Sequence, residues 1–342
     1  MTSALEPYYP TSQILSEIDS TIAKHDDLVS FMGLMQKCGV DLLPIKWQPA
    51  LADLGRGGSA NVSQALINTQ TNYAFKRVFF TDGGTEKSFE RLVKEVSILS
   101  HPELRNHDSM IQLEAYCCEI LEKPERISPV LIFATAPLGD LQSFMLSEEA
   151  RSLSSNVKLG FCLDIARALS ALHGLYILHG DIKPMNALVY EQNGKLSVKL
   201  ADLGDASICS NEESIVYLPR SRPWFAPEYH HRGFRFLQAK KMDVYSFGLL
   251  CFWLLLGNSL LHRSQGSASV DPGLPFTIAA LETLKQSNTL QDTAKEFLVG
   301  VKDLTLEQQR SLFSLFDLTL AKDPEARPSD FVLILKLLGN DR

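Results

Sequence analysis

The sequence lacks the features that mark several large classes of protein. Its six cysteines form no CxxC pair and no metal-site spacing, and most lie in apolar runs, as is typical of free thiols in a reducing compartment. Its longest apolar run, Phe247 to Leu256, is about half as long as a membrane-spanning helix, which indicates a buried helix. No secretory signal follows Met1. These absences predict an intracellular protein without a membrane span, in the cytoplasm or, as an open alternative, the nucleus.

Positive charge is also scarce. The 342 residues include 33 Lys and Arg against 40 Asp and Glu, a net charge of −7, which argues against nucleic acid as a partner. The hydrophobic share of 45% and the chain length predict a substantial core, in one two-lobed domain or in two ordinary domains.

The most informative stretch of the chain is residues 179–186, His-Gly-Asp-Ile-Lys-Pro-Met-Asn. Two short apolar segments follow it and flank Asn193-Gly194, a strong hairpin turn signal. Because a hairpin brings its ends together, we expect Asp181, Asn186 and Asp202 to converge. Such a cluster offers one carboxylate to orient a hydroxyl, and a carboxylate with an amide oxygen to bind a hard cation such as Mg²⁺.

A glycine-rich turn between Leu54 and Val62 indicates a second chemical feature. Glycines let the backbone approach a phosphate, although the turn alone is a weak signal and is more typical of a plain hairpin. Lys76 then lies in an apolar strand, where an unpaired ammonium is costly, and Glu95 follows on an amphipathic helix. We predict that these two residues pair and present the ammonium to an anionic ligand; the alternative for each residue alone is a solvated surface charge.

The chain divides into an extension and a main domain. Residues 1–46 carry two helical patterns, Ile14 to Ile22 and Leu28 to Met35, and predict a helical N-terminal extension that packs on the main domain or docks a regulatory partner. Residues 47–342 begin with strand-like segments up to about 133, continue through an irregular connector at about 134–139, and are helix-rich from about 140.

In this order, the motifs resemble the eukaryotic protein kinase domain over about residues 50–340. The resemblance implies an α+β, bilobal fold with a small antiparallel β-rich N-lobe containing one key helix and a larger, mainly helical C-lobe. It also implies a protein kinase that transfers the γ-phosphate of ATP to serine or threonine hydroxyls of protein substrates. Its cofactors would be ATP and Mg²⁺, with Mn²⁺ as an alternative metal.

The resemblance assigns a role to each matched residue. Asp181 corresponds to the catalytic base and Lys183 to the residue that neutralises the migrating phosphate. Lys76 and Glu95 correspond to the lysine–glutamate pair of the nucleotide site, and Asn186 and Asp202 to the metal ligands. The remaining matches correspond to nucleotide-binding positions: Leu54, Gly55, Gly57, Ala60, Val62, Ala74, Lys76, Ala134, Ala136, Asp140 and Leu188.

Four further positions resemble architectural residues. Glu228 of the Ala-Pro-Glu motif would pair with Arg327 and hold the end of the activation segment, the stretch from Asp202 to Glu228. Asp243 would brace the backbone of the catalytic loop, and Ser221 would bridge Lys183 to the catalytic aspartate.

Three positions depart from the family pattern. Gly180 stands where many kinases have an arginine that reads a phosphate on the activation segment, so we predict activity without phosphorylation of that segment. Ala60 replaces the last glycine of the nucleotide-covering loop, and Leu203 replaces the usual phenylalanine. None of the three removes a catalytic group.

Two other functions share many of these features. A pseudokinase would use the same fold as a nucleotide-binding signalling scaffold, but the four residues whose loss would favour it are present: Lys76, Asp181, Asn186 and Asp202. A small-molecule phosphotransferase of kinase-like fold would generally lack Glu228, Asp243 and Arg327, all of which this chain has.

Overall fold

The computed structural model describes residues 28–43, 52–56, 60–68, 71–78, 85–122, 125–264 and 275–339. The chain forms two compact units. Of the described residues, those up to Ala136 together with Asp202–Gly204 form the strand-rich unit, and Pro137–Ala201 with those from Asp205 onwards form the helical unit.

The strand-rich unit is built on one six-stranded sheet with the order β1-β5-β6-β4-β3-β2. Its neighbouring strands are antiparallel except for β1 and β5, which are parallel. In chain order its elements are α1 (Leu28–Lys37), β1 (Asp41–Leu42), β2 (Ala52–Arg56), β3 (Ala60–Asn68), β4 (Thr71–Val78), α2 (Thr85–Leu99), α3 (Pro102–Arg105), β5 (Leu113–Glu122) and β6 (Glu125–Ala134).

Apolar residues on β4, β5 and β6 form the core of this sheet. Successive side chains of a strand point to opposite faces, so alternate residues of each strand share a buried face. The buried cluster comprises Phe75, Ala115, Cys117, Val130 and Ile132. Helix α2 carries the apolar stripe that the sequence predicted, and its four members are buried: Phe89, Leu92, Val96 and Leu99.

The second helical pattern of the extension forms α1. Phe31 and Met35 are buried, and the ring of Phe31 lies edge-on to those of Phe89 and Tyr116, with centroid separations of 6.4 and 5.7 Å. Strand β1 then joins the edge of the sheet, which the sequence did not predict because two residues carry too little pattern. The first helical pattern, Ile14 to Ile22, lies outside the described residues.

The helical unit surrounds one long helix. In chain order its helices and strands are α4 (Leu141–Met145), α5 (Ser155–Gly174), β7 (Ile177–Leu178), β8 (Ala187–Gln192), β9 (Lys195–Leu200), β10 (Ser207–Ile208), β11 (Ile215–Val216), β12 (Phe234–Arg235), α6 (Phe236–Ser264), α7 (Pro275–Gln286), α8 (Leu290–Val299), α9 (Leu306–Thr319) and α10 (Val332–Leu337). Short 3₁₀ turns cover Glu149–Ser152, Pro184–Asn186 and Pro324–Ala326. The predicted apolar run is buried within α6, which extends beyond the run at both ends.

The predicted hairpin is formed by β8 and β9. Asn193 and Gly194 connect the strands with φ angles of 53° and 74°, the left-handed conformation that suits the twist of a two-residue hairpin turn. At the open end, Ala187 pairs with Leu200, and the N–H of Ala201 donates to the carbonyl of Asn186 at 2.8 Å. The fold class is therefore α+β, as the resemblance implied.

Candidate active site

Lys76 lies between two carboxylates in the strand-rich unit. Its Nζ donates to both carboxylate oxygens of Glu95, at 2.8 and 2.7 Å, and to Oδ1 of Asp202 at 2.7 Å. The predicted pair of Lys76 and Glu95 is thus present. The exposed fractions of the side chains are 11% for Lys76, 3% for Glu95 and 47% for Asp202.

The charge of Lys76 is stabilised by this setting. Burial disfavours the ammonium, but the charges of Glu95 and Asp202 outweigh that effect, so the pKa of Lys76 is raised above its usual value. The backbone N–H of Leu203 also donates to Glu95. These contacts attach residues 202–204 to α2 and keep a cation beside the outward-facing carboxylate of Asp202.

The loop at residues 179–186 of the helical unit presents Asp181 with one oxygen hydrogen-bonded and the other without a hydrogen-bond partner among the described residues. Oδ2 accepts hydrogen bonds from Nζ of Lys183 at 2.5 Å and from Nδ2 of Asn186 at 3.2 Å. Oδ1 is buried and has no hydrogen-bond partner within the described residues. A buried acceptor without a protein partner is costly, so this oxygen is a candidate for contact with a ligand.

Asp243 holds the backbone of this loop from within α6. Its carboxylate is 2% exposed. It accepts from the N–H groups of His179 and Gly180, both at 3.0 Å, and contacts Nε2 of His173 at 3.0 Å. His179 is fully buried, and its Nδ1 accepts from the N–H of Asp181 at 3.2 Å. The bracing role predicted for Asp243 is confirmed.

Ser221 connects the loop at residues 179–186 to the segment 221–225. Nζ of Lys183 donates to Oγ of Ser221 at 3.3 Å, and the same ammonium is hydrogen-bonded to Asp181. The N–H of Phe225 donates to the carbonyl of Ser221 at 3.1 Å, which closes the turn. The predicted bridge through Ser221 therefore exists as a contact to Lys183.

The predicted nucleotide-binding positions of the strand-rich unit lie on its sheet. Leu54 and Gly55 lie on β2, Ala60 and Val62 on β3, and Ala74 on β4. The strand register places Gly55 opposite Val62, and Val62 opposite Lys76, so these three backbone positions form one row.

Ala74 is buried and pairs with Phe133 on β6, and Ala134 is the last residue of that strand. Ala136 is partly exposed at the end of this unit. Gly57 lies outside the described residues.

The remaining two predicted positions lie in the helical unit. Asp140 and Leu188 are joined by an antiparallel bridge. The carboxylate of Asp140 caps α4, accepting from the N–H of Ser143 at 3.0 Å and from its hydroxyl at 2.6 Å. The structure thus gives Asp140 a local hydrogen-bonding role that the sequence did not predict.

Two residues close to these groups were missed by sequence reasoning. His173, at the end of α5, contacts Asp243, and Lys285, near the end of α7, donates to backbone carbonyls of the segment after Ser221. Neither residue carries a local signal. A single histidine or lysine on a helix of mixed polarity is most simply interpreted as packing or surface charge.

Comparison with known proteins identifies the family. The model of the protein kinase domain matches residues 50–337. The chain belongs to the protein kinase domain family. Members of this family use ATP and Mg²⁺.

The relatives of this kinase domain include receptor-like kinases of Arabidopsis thaliana. L-type lectin-domain containing receptor kinase IX.2 is 27% identical over 83% of this chain and 38% of its own length. Receptor like protein kinase S.3 is 28% identical over 84% of this chain and 77% of its own length. Receptor-like serine/threonine-protein kinase NCRK is 26% identical over 84% of this chain and 50% of its own length. The chain therefore spans half or less of two of these three relatives.

These names correct one expectation. The sequence led us to expect a protein without a membrane span. This expectation was wrong, because the relatives are receptor kinases by name. The expectation rested on the apolar runs of this chain, which covers only part of those relatives. Within the ranges that the structure describes, no helix combines the length and apolar content needed to cross a bilayer.

Proposed function

We propose that this kinase domain transfers the γ-phosphate of ATP to serine or threonine hydroxyls of protein substrates. The proposal rests on the geometry of Asp181. One of its oxygens is held by Lys183 and Asn186, whereas the other is buried without a protein partner in the described part of the chain. A carboxylate in this state is oriented by its neighbours and keeps one oxygen without a protein donor, which we propose as the acceptor for the hydroxyl of a substrate.

We propose the following roles for the residues around it. Asp181 accepts the proton of the substrate hydroxyl, and Lys183, which is already hydrogen-bonded to that carboxylate, neutralises negative charge on the transferred group. Lys76 binds the phosphates of the nucleotide and Glu95 holds the Lys76 ammonium in position. Transfer of this kind depends on positioning and charge neutralisation more than on covalent chemistry with the protein.

The donor set fits Mg²⁺ with ATP. Asn186 and Asp202 are the proposed metal ligands, and both provide the oxygen donors that Mg²⁺ prefers. The amide nitrogen of Asn186 is engaged with Asp181, which directs its amide oxygen to other partners. When bound, Mg²⁺ neutralises phosphate charge.

Further proposed contacts to the nucleotide come from the glycine-rich turn and the connector. The turn contributes Leu54, Gly55, Gly57, Ala60 and Val62. The adenine and ribose contacts come from Ala74, Ala134, Ala136, Asp140 and Leu188. These assignments rest on the family match and on the strand register of Gly55, Val62 and Lys76.

The experiment is phosphate transfer from labelled ATP with Mg²⁺ to a degenerate mixture of serine- and threonine-containing peptides. Wild type is compared with Asp181→Asn, which keeps the shape of the side chain and removes its charge. We expect the variant to lose activity by about 10²–10⁴-fold while its affinity for ATP stays similar. Wild-type protein that binds Mg²⁺–ATP without transferring phosphate would overturn this proposal and favour the scaffold role of a pseudokinase.

A further inference from the structure

Lys285 holds the segment that carries Ser221. Its Nζ donates to the carbonyl of Pro223 at 2.8 Å and to the carbonyl of Phe225. The same nitrogen lies 3.8 Å from the centroid of the Phe225 ring, within the range of a cation–π interaction. One ammonium on α7 therefore contacts this segment at two backbone positions and one side chain.

A continuous series of hydrogen bonds connects this contact to the proposed base. The N–H of Phe225 donates to the carbonyl of Ser221 at 3.1 Å. The Oγ of Ser221 accepts from Lys183 at 3.3 Å, and the Lys183 ammonium lies 2.5 Å from Oδ2 of Asp181. All of these residues belong to the helical unit. A shift of the segment 221–225 would therefore be transmitted to the carboxylate of Asp181.

Several charged groups surround the Lys285 ammonium. Burial lowers its pKa to about 8, two nearby glutamates oppose this shift, and two arginines add to it. Lys285 is thus largely protonated at neutral pH and loses its charge in mildly alkaline solution. The surrounding titratable and charged groups come from its own helix, from residues 220–228 and from α6: Glu282, Arg220, Arg222, Glu228 and Tyr245.

The buried charge of Lys285 lowers the free energy of unfolding. The pKa of Lys285 in the folded protein, about 8, lies below the usual lysine value of 10.5. Between these two pH values the unfolded chain binds more protons than the folded one, so the free energy of unfolding rises with pH through this window.

We propose that Lys285 is a positioning residue for phosphate transfer. Its ammonium holds the segment 221–225 so that Ser221 remains on Lys183 and Lys183 remains on Asp181. The inference rests on the proposed function, because it describes a role relative to the catalytic carboxylate.

The first test is the pH dependence of transfer to the degenerate peptide mixture, from about pH 6.5 to about pH 9.5, in wild type, Lys285→Met and Lys285→Arg. Lys285 lines a cavity of about 210 Å³, and an arginine at this position stays charged throughout this pH range. We expect the wild-type kcat to fall above pH 8, the pKa of Lys285. Lys285→Arg should lack this fall, and Lys285→Met should have a kcat about 10–100-fold lower at neutral pH.

Two controls separate positioning from general damage. The KM for ATP should be unchanged in both Lys285 variants, since the hydrogen bonds of the Lys285 ammonium go to the segment 221–225. Lys295→Met, which removes an exposed lysine from the neighbouring helix α8, should match wild type at every pH. A Lys285→Met variant with the wild-type kcat and pH profile would overturn the inference.

A readout that does not need activity is the rate of tryptic cleavage after Arg220, an exposed residue next to the held segment. At fixed pH near neutrality we expect cleavage about tenfold faster in Lys285→Met than in wild type, with Lys285→Arg close to wild type. If wild type transfers no phosphate, the proposed function fails, and cleavage still decides whether Lys285 holds the segment. Equal cleavage rates in all variants would contradict the inference that Lys285 holds the segment 221–225 in place.

Discussion

Arg327 binds Glu228 through two parallel hydrogen bonds. Nη1 lies 2.6 Å from Oε1 and Nη2 lies 3.0 Å from Oε2. The side chain of Arg327 is 0% exposed and that of Glu228 is 25% exposed. This two-bond pairing, which the resemblance implied, is among the stronger ionic contacts in proteins and attaches the end of the activation segment to the region before α10.

Breaking this pair should strongly destabilise the helical unit. Glu228→Ala leaves a buried guanidinium without its counter-charge, which costs about 3–5 kcal/mol. Urea denaturation measures the loss. The matched control is Glu325→Ala, which breaks the pair between Lys241 and a glutamate that is 79% exposed, and should cost less than about 1 kcal/mol. Equal losses in the two variants would contradict the importance of the buried pair.

Replacing Lys76 should make stability depend on pH. In Lys76→Met the buried carboxyl of Glu95 loses its ion-pair partner, so burial raises its pKa further above the usual 4.5. The folded protein then retains a proton that the unfolded chain has released, and stability falls as pH rises through that window. We expect the Tm of the variant to be closest to wild type near about pH 5 and furthest below it near about pH 8.

The double variant Lys76→Met/Glu95→Gln provides the control for this prediction. It lacks the titrating carboxyl, so its Tm difference from wild type should change little with pH. A single variant whose Tm difference is constant across this pH range would argue that Glu95 is already neutral in the wild-type protein.

A side chain at position 180, in place of Gly180, should destabilise the protein. Its φ is +75°, and an added Cβ would lie 3.1 Å from Cδ2 of Leu218. Gly180→Ala should therefore cost about 1–2 kcal/mol of unfolding free energy. Gly174→Ala is the matched control, because Gly174 ends α5 and has open space where the methyl group would lie. That control should stabilise by about 0.5–1 kcal/mol, and a loss of similar size in both variants would contradict the prediction.

Activity should survive removal of phosphate from the activation segment. Gly180 provides no side chain to bind a phosphate, and the segment is already paired with the helical unit through β10–β7 and β11–β12. Phosphatase treatment should change kcat by less than about twofold. Mass spectrometry verifies the treatment at the four hydroxyl residues concerned: Ser207, Ser210, Ser214 and Tyr217. A loss of about tenfold or more would show that a phosphate has a role that Gly180 does not exclude.

Local patterns made part of this protein predictable. The Asn193-Gly194 turn determines its hairpin through backbone conformation, and the stripe on α2 follows from the helical repeat. The pairing of Lys76 with Glu95 was also predictable, since a lysine in an apolar strand needs a counter-charge and the next helix provides one. In each case the decisive residues are close in sequence, or the cost of leaving one unpaired is large.

The sequence by itself therefore determined the hairpin and the identity of the charged groups at the candidate site, and its resemblance to the protein kinase domain implied the α+β class. Only the tertiary structure decided which oxygen of Asp181 is unengaged, that His173 contacts Asp243, and that Lys285 holds the segment after Ser221. These contacts join residues that are distant in the chain and whose local patterns match those of ordinary packing or surface positions. Their partners are set by the packing of whole helices against loops, which no short stretch of sequence encodes.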